Sequence, residues 1–386
     1  MTLGVTRGVA LDGIDGALVA IEADVSSGLP TFAIGGLPDA ACRQSADRVK
    51  AAAANVGVSL SQRRVIVNLS PAWLPKIGSA YDLGIAVAAL VADGSIRRSL
   101  VEHVVHIGEL GLDGTVRPVR GVLPLVLAAV RAGSQDVVVP AANAAEAALV
   151  RGARVVAADS LARLLTRYRD LADGQPVDDL AVSGVEEAAP SESLRDLGDL
   201  AGQAEARRAL EVAAAGGHHL FLVGPPGAGK TMLAECLPSI LPPLEDEHAL
   251  QVTAIHSVLG ALEGGALVRS PPFVAPHHDA SQAALIGGGA QIRPGLISKA
   301  HRGVLMLDEA SNGKCTSFSK EVTDEDDYEA AWRERATGAG DAGGGLPGVL
   351  SDGAGRAGRG HAVDLSVSAA VEVSQGQGGC DRASAP

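Results

Sequence analysis

Eight residues in the middle of the chain, Gly224-Pro225-Pro226-Gly227-Ala228-Gly229-Lys230-Thr231, constrain its fold more than any other stretch. They fit GxxxxGK[ST], a loop whose glycines let backbone N–H groups turn inward around a phosphate. The pattern requires a strand before it and a helix after it. His219-Leu220-Phe221-Leu222-Val223 reads as a buried strand, and Met232-Leu233-Ala234-Glu235 as the opening of a helix. A helix beginning directly behind the loop adds partial positive charge where the phosphate would sit. Lys230 is expected on the β/γ-phosphates and the Thr231 hydroxyl on Mg²⁺, with all eight residues as nucleotide contacts.

A second element strengthens this reading. Val304-Leu305-Met306-Leu307-Asp308-Glu309 is an apolar run ending in two carboxylates, the form of a Walker B strand. Asp308 is expected to hold the metal. Glu309 is expected to polarise the attacking water, which makes Glu309 and Lys230 the catalytic pair. A buried strand ending in a solvated acidic pair is common on its own. This one gains weight by following the phosphate loop within one domain's length.

At 386 residues the length suggests two or three domains. With 47% hydrophobic but only 2% aromatic residues, the cores must be built from Ala, Val and Leu. A formal charge of −13 argues against a surface that coats nucleic acid generally, leaving local basic loops for any such contact. Cys42, Cys236, Cys315 and Cys380 are scattered without a CxxC pair, which speaks against structural zinc or a disulfide framework. The first residues lack a signal-peptide core, and no run of 18 apolar residues occurs, so the expected compartment is the cytoplasm, away from membranes.

Residues 1–169 alternate strand-like and helix-like segments. Strands are expected at Ala17 to Val25, Thr31 to Ile34, Arg64 to Leu69, Val104 to Leu110, Thr115 to Val119, Asp136 to Val139 and Arg154 to Ala157. Helices are expected from Asp39 to Gly57, from Tyr81 to Ala92, from Leu123 to Ala132 with Gly133 as the stop, and after the Ser160 cap. This is an α/β or α+β domain. Residues 170–193 are acidic, polar and aperiodic, and read as a linker. The second domain, 194–310, opens with Ala206, Ala209, Leu210 and Ala213 on one helical face, stopped by Gly216-Gly217. Residues 311–386 are glycine-rich without sustained period, and read as disordered, with no apolar strand ending in a polar sensor and no helical lid pattern.

Several further stretches carry a family resemblance. Asp199-Leu200-Ala201-Gly202-Gln203 and then Ala209-Leu210-Glu211-Val212-Ala213-Ala214-Ala215-Gly216-Gly217-His218 precede the phosphate loop. Leu237-Pro238-Ser239-Ile240-Leu241-Pro242-Pro243-Leu244, Pro276-His277-His278, Ala284-Leu285-Ile286-Gly287-Gly288-Gly289 and Pro294-Gly295-Leu296-Ile297-Ser298-Lys299-Ala300-His301-Arg302-Gly303 follow it. In this order they resemble the magnesium-chelatase-like AAA+ ATPases of the ComM (YifB) type. The resemblance implies a P-loop AAA+ domain with a parallel sheet, ATP and Mg²⁺ as cofactors, and a hexameric ring acting on branched DNA in recombination or natural transformation.

The first domain resembles the matching ComM domain, which is similar in fold to the Lon protease domain. Thr31-Phe32-Ala33-Ile34-Gly35-Gly36-Leu37-Pro38-Asp39, Asn68-Leu69-Ser70-Pro71-Ala72, Gly108-Glu109-Leu110 and Ala128-Ala129-Val130-Arg131-Ala132-Gly133 carry that likeness. Lon-type cleavage needs a Ser activated by a Lys. The alignment puts Asp82 in the Ser position and Leu123 in the Lys position, so no peptidase activity is expected; Ser70 and Ser79 are nearby without an aligned activator.

The resemblance ends at Ala310, before the sensor strand, arginine finger and helical lid of such proteins. The tail looks like out-of-frame translation or a truncated gene product, and hydrolysis is expected to be slow or absent. Two alternatives follow: a magnesium-chelatase motor subunit, which the Lon-like domain argues against, and a nucleotide-binding remnant without motor activity. His277 and His278 read as part of a polar loop rather than a zinc site, and Gly287-Gly288-Gly289 with Arg293-Pro294-Gly295 as a hairpin tip that could touch DNA.

Overall fold

A computed structural model describes residues 3–176 and 195–308, except 226, 263–264, 278 and 289–292, together with the backbone of 367–371. The described chain is α/β and divides into two units. One comprises Met1–Pro190, Leu244–Arg269 and Gly288–Pro294, the other Ser191–Pro243, Ser270–Gly287 and Gly295–Pro386.

The first unit runs β1 (Gly4–Asp12), β2 (Asp15–Ser26), β3 (Thr31–Gly35), α1 (Ala40–Arg43), α2 (Ser45–Asn55), β4 (Arg64–Ser70) and α3 (Asp82–Asp93). It continues through β5 (Val105–His106), β6 (Glu109–Leu110), β7 (Val116–Arg117), α4 (Val122–Arg131), β8 (Asp136–Pro140), α5 (Ala144–Ala148), β9 (Arg154–Ala158) and α6 (Leu161–Ala172). Seven strands form one mixed sheet in the order β3-β4-β2-β1-β5-β8-β9. Alternate side chains along a strand face opposite ways, and the core divides accordingly. Val138 joins Val19, Ile21, Val65 and Val67 in a cluster with α2, α3 and α6. Val137 and Val139 join Val9 and Val105 in a second cluster with α4 and α5. Helices therefore cover both faces of the sheet.

Local signals read from the sequence operate as expected at several ends. The Asp39 side chain accepts from the Cys42 amide and Ser160 from the Arg163 amide, each capping a helix. The first of those helices breaks at Gln44 into α1 and α2, where one continuous helix was expected. The expected strand Val104 to Leu110 is likewise interrupted, with β5 and β6 separated at Gly108 (φ +158°). β1 carries no sequence expectation, and its Gly4 and Gly8 are points of close approach. A Cβ at Gly4 would lie 1.9 Å from the Ala88 carbonyl oxygen of α3, and one at Gly8 would lie 3.3 Å from the Tyr81 ring.

The second unit runs α7 (Ala204–Gly216), β10 (Leu220–Leu222) and α8 (Lys230–Ile240). The chain then crosses into the first unit for α9 (Asp246–Leu259), returning for β11 (Phe273–Val274), α10 (Gln282–Ile286) and β12 (Gly287–Gly288). After β13 (Arg293–Pro294), which pairs with β12, come α11 (Leu296–Lys299), β14 (Val304–Asp308) and β15 (Val367–Val371). A four-stranded sheet has the order β10-β15-β14-β11, with every neighbouring pair parallel. On one side, Val304 packs with Leu210, Leu233 and Leu237 of α7 and α8; on the other, Leu305 packs with Val274 and Ala300 beside α11.

Two sequence expectations are corrected. The whole 311–386 tail reads from sequence as disordered, yet Val367–Val371 lies between β10 and β14, pairing Ala369 with both Leu220 and Met306. The expectation failed because a short small-residue strand has too little apolar periodicity to be seen without its neighbours. The rest of that tail lies outside the described residues, as does most of the proposed linker. Residues 244–269 were assigned to the second domain, but α9 packs in the first. Ala254 is buried with Leu125 and Val126 of α4, and the Gly121 amide donates to the Ser257 carbonyl at 3.2 Å.

One buried polar chain locks β1, β5 and α6 together. The Thr6 hydroxyl lies 3.1 Å from the Val104 carbonyl and 2.7 Å from Nδ1 of His106, and Nε2 of His106 lies 2.6 Å from the Tyr168 hydroxyl. A neutral imidazole satisfies this chain: Thr6 donates to the carbonyl, Nδ1–H donates to Thr6, and Tyr168 donates to Nε2. Burial pushes His106 down to about 3. The folded state thus resists a proton that the unfolded chain accepts near pH 6.5. Stability from this residue should be complete above about pH 6.5 and fall, by about 1.4 kcal/mol per pH unit at the steepest, as pH drops from there toward about 3. Urea midpoints measured between about pH 7.5 and 5 should show this slope, and His106→Gln should flatten it while lowering stability throughout.

Candidate functional site

The phosphate loop follows the C-terminal end of β10. The expectation of a buried strand there is corrected: Leu220, Phe221 and Leu222 are half-buried, and Val223 is 62% exposed, because β10 is the outermost described strand of its sheet. Gly227 (φ +79°) and Gly229 (φ +82°) adopt the left-handed conformation that side chains resist, at roughly 1–2 kcal/mol for other residues. Gly229 is the N-cap of α8, which starts at Lys230 and Thr231, two residues earlier than the sequence suggested. The helix N-terminus is therefore aimed at the loop.

Lys230 is buried at 8% exposure, an unusual state for an amine. Its Nζ donates to the carbonyls of Gly224 (2.7 Å) and Pro225 (2.9 Å), so the side chain folds into the loop. Thr231 is exposed beside it. The Ala228 amide donates to the Pro225 carbonyl at 3.2 Å, closing the loop's turn. Pro226 lies outside the described residues.

Asp308 ends β14. Because β10, β15, β14 and β11 are parallel, the loop after β10 and the end of β14 emerge at the same edge of the sheet, where α/β folds bind ligands. With one strand between them, they lie about 10 Å apart at strand spacing. The backbone thus brings Lys230, Thr231 and Asp308 to one edge. Glu309 lies outside the described residues.

The residues fit a nucleotide phosphate with a divalent cation. A helix N-terminus, glycines that permit inward N–H groups and a lysine amine inside the loop form an anion cradle, and the strand that carries Asp308 ends on the same edge. Among the described residues no group of three or more His, Cys, Asp or Glu could hold a metal by protein ligands alone. The cation implied here is one carried largely by phosphate oxygens. His277 is exposed, with its ring nitrogen accepting from the Asp279 amide at 3.3 Å, as in an ordinary polar turn; His278 lies outside the described residues.

The resemblance puts Asp199 to Gln203 near an adenine, and the residues alone give only a helix start; neither points to the contact that Gln203 makes. Gln203, at the N-cap of α7, donates from its side-chain amide to the Ala228 carbonyl in the phosphate loop. The 25-residue separation hides this contact, but a glutamine directly after Gly202 and before a helix was its visible trace.

In the first unit the two positions aligned with a protease dyad have packing roles. Asp82 is fully buried at the start of α3. It accepts from Arg48 Nε at 2.5 Å, Arg48 Nη2 at 3.0 Å, the Ser45 hydroxyl and the Leu110 amide. Burial pushes the carboxyl up and these hydrogen bonds oppose it, while donating to Asp82 raises the Arg48 guanidinium further. Leu123 is buried in α4, and its amide donates to Glu146. Ser79 donates to Glu109, and Lys76, fully buried and pushed down by burial, donates to the Pro71 carbonyl. Cys42 is buried and pushed up to about 12 by burial and by Asp39 and Asp82, which leaves it a poor nucleophile. No helix among the described residues is long and apolar enough to cross a membrane.

Two family models match the chain. One, described as magnesium chelatase, subunit ChlI, matches residues 196–324, and the other, subunit ChlI of Mg-chelatase, matches residues 21–143. The first match runs past Ala310, where the sequence reading ended the resemblance. An uncharacterised protein of Mycobacterium tuberculosis is 52% identical over 313 residues, covering 81% of this chain and 61% of that protein. The competence protein ComM of Haemophilus influenzae is 38% identical over 312 residues, 80% of this chain and 60% of its own length. A Lon protease of Mycolicibacterium smegmatis is 30% identical over 146 residues, 36% of this chain and 18% of that one. The chain thus spans about three fifths of the first two relatives it matches.

The Asp82 cluster gives a stability test. Arg48→Ala would leave a fully buried carboxylate without its cation, at an expected cost of about 3–5 kcal/mol. Urea unfolding should show that loss, and replacing both residues together, as Arg48→Met with Asp82→Leu, should recover most of it.

Proposed function

The chain belongs to the ComM-type magnesium-chelatase-like family of AAA+ proteins, and on that premise we propose that its second unit binds Mg²⁺-ATP as part of a motor that acts on DNA. The observation that carries the nucleotide reading is Lys230, whose amine is drawn inside a glycine loop at a helix N-terminus. Mg²⁺-ATP would supply a transferable phosphoryl group whose charge the ion neutralises. Lys230 would turn from the loop carbonyls to the β/γ-phosphates, and the amides of Gly227, Gly229, Lys230 and Thr231 would bind the same anion. Thr231 and Asp308 would hold the ion, and Glu309 would orient and polarise water.

The DNA role rests on the relationship to ComM, a protein named for competence, which extends over four fifths of this chain. That breadth favours it over a chelatase motor subunit, although both family models carry the chelatase description. Assembly into a ring and action in recombination or in uptake of transforming DNA belong to the same proposal. The first unit serves as a non-proteolytic domain in this reading, since Asp82 and Leu123 are committed to packing.

Titration with a fluorescent ADP analogue is the direct test. The full chain should bind it in the presence of Mg²⁺, and Lys230→Ala should weaken binding at least about 100-fold, the scale of a charge-assisted contact to phosphate. Equal affinity in the two proteins would overturn the nucleotide reading. Binding of a four-way DNA junction should tighten when nucleotide is saturating, and indifference to nucleotide would overturn the motor. Unfolded casein should stay intact with ATP present.

A further inference from the structure

A loop that binds an anion through its amides must turn the attached carbonyls outward. In a trans peptide the C=O and the next N–H point in opposite directions, so holding one aims the other. Two of the loop's residues, Pro225 and Pro226, carry no N–H at all. The Ala228 amide is already engaged with the Pro225 carbonyl. That concentrates anion binding on the remaining amides, of which Gly229 sits at the junction of loop and helix.

The Ala228 carbonyl, on the same peptide as the Gly229 amide, accepts from Nε2 of Gln203 at 2.5 Å. Gln203 occupies a left-handed conformation (φ +52°, ψ +44°), one of three non-glycine residues with positive φ among those described. It is also the N-cap of α7, yet its side chain makes no cap hydrogen bond. A glycine would relieve the backbone there and a serine or aspartate would cap the helix. Glutamine does neither, and what it supplies is reach to the loop.

The segment that carries it is anchored. Asp196 and Asp199 form a reciprocal capping box, Leu197 is buried against Leu233 and Leu237 of α8, and Arg207 donates to the Leu200 carbonyl at 3.2 Å. Gln203 therefore acts from a fixed base. Lys230 secures the Gly224 and Pro225 carbonyls only while it stays folded into the loop. Gln203 holds a different carbonyl, that of Ala228, from a separate segment.

We infer that Gln203 is a positioning residue for the nucleotide's phosphates, orienting the Ala228–Gly229 peptide so that the Gly229 amide faces the anion. The inference rests on the nucleotide reading above and adds a residue to it. Its role is toward phosphate and is indifferent to the base.

The test compares the full chain with Gln203→Met, which keeps the length and loses the donor, and Gln203→Gly, which also loses the donor but suits the left-handed backbone. Affinities for Mg²⁺-ADP and for inorganic tripolyphosphate with Mg²⁺ are measured beside melting temperature. Both variants should weaken both ligands by a similar factor, about tenfold for one hydrogen bond, without a fall in melting temperature for Gln203→Gly. Unchanged tripolyphosphate affinity in Gln203→Gly would overturn the inference, and so would a loss confined to ADP, which would make Gln203 a base contact. If Lys230→Ala abolishes binding while both Gln203 variants bind as the parent does, only this inference fails. If the parent chain binds neither ligand, the nucleotide reading fails and takes the inference with it.

Discussion

Backbone amides that turn inward aim the attached carbonyls outward, and the loop between β10 and α8 gives partners to three of those carbonyls, of Gly224, Pro225 and Ala228. Gly227 and Gly229 supply the left-handed turns that bring the loop round, and the Lys230 amine and the Gln203 amide take the carbonyls that those turns expose. An unpartnered carbonyl in so tight a loop would cost about 1–3 kcal/mol if shielded from water. The helix behind the loop, the sheet before it and the Asp196–Gln203 segment beside it are the supports from which those donors reach.

The first unit shows a different use of polar groups. The Arg48 guanidinium and Ser45 hydroxyl of α2 converge on the buried Asp82 together with the Leu110 amide. The result is a buried carboxylate held against an arginine. The α4 position is equally absorbed: the amide of Leu123 is held by Glu146, which also accepts from Asn143 and from Ser257 of α9.

Much of this was visible in the residues because it is local. The phosphate loop, the Asp39 and Ser160 caps and the Gly133 stop depend on a few consecutive positions whose chemistry does not need the fold. What escaped was long-range. Arg48 and Asp82 are 34 residues apart and Gln203 and Ala228 are 25 apart, and no periodic pattern joins either pair. β1 escaped for the same reason, since α3, which packs against Gly4, lies far along the sequence. β15 was invisible for a related reason: its place between β10 and β14 is defined by strands far upstream, and its own five residues carry little signal.

The route of residues 244–269 bears on heredity as much as on folding. A gene encodes domains as consecutive blocks, and recombination that swaps or deletes such blocks succeeds when each block closes its own core. Here the cut that sequence would suggest, between residues 169 and 194, strips the first unit of α9. It uncovers the face of α4 where Ala254 sits, and takes Ser257 from Glu146 and Asp246 from Arg151. The N-terminal block is thus no self-contained cassette. Exchanging it for another such block would require that face of α4 to be rebuilt, so the two stretches of sequence are exchangeable only together.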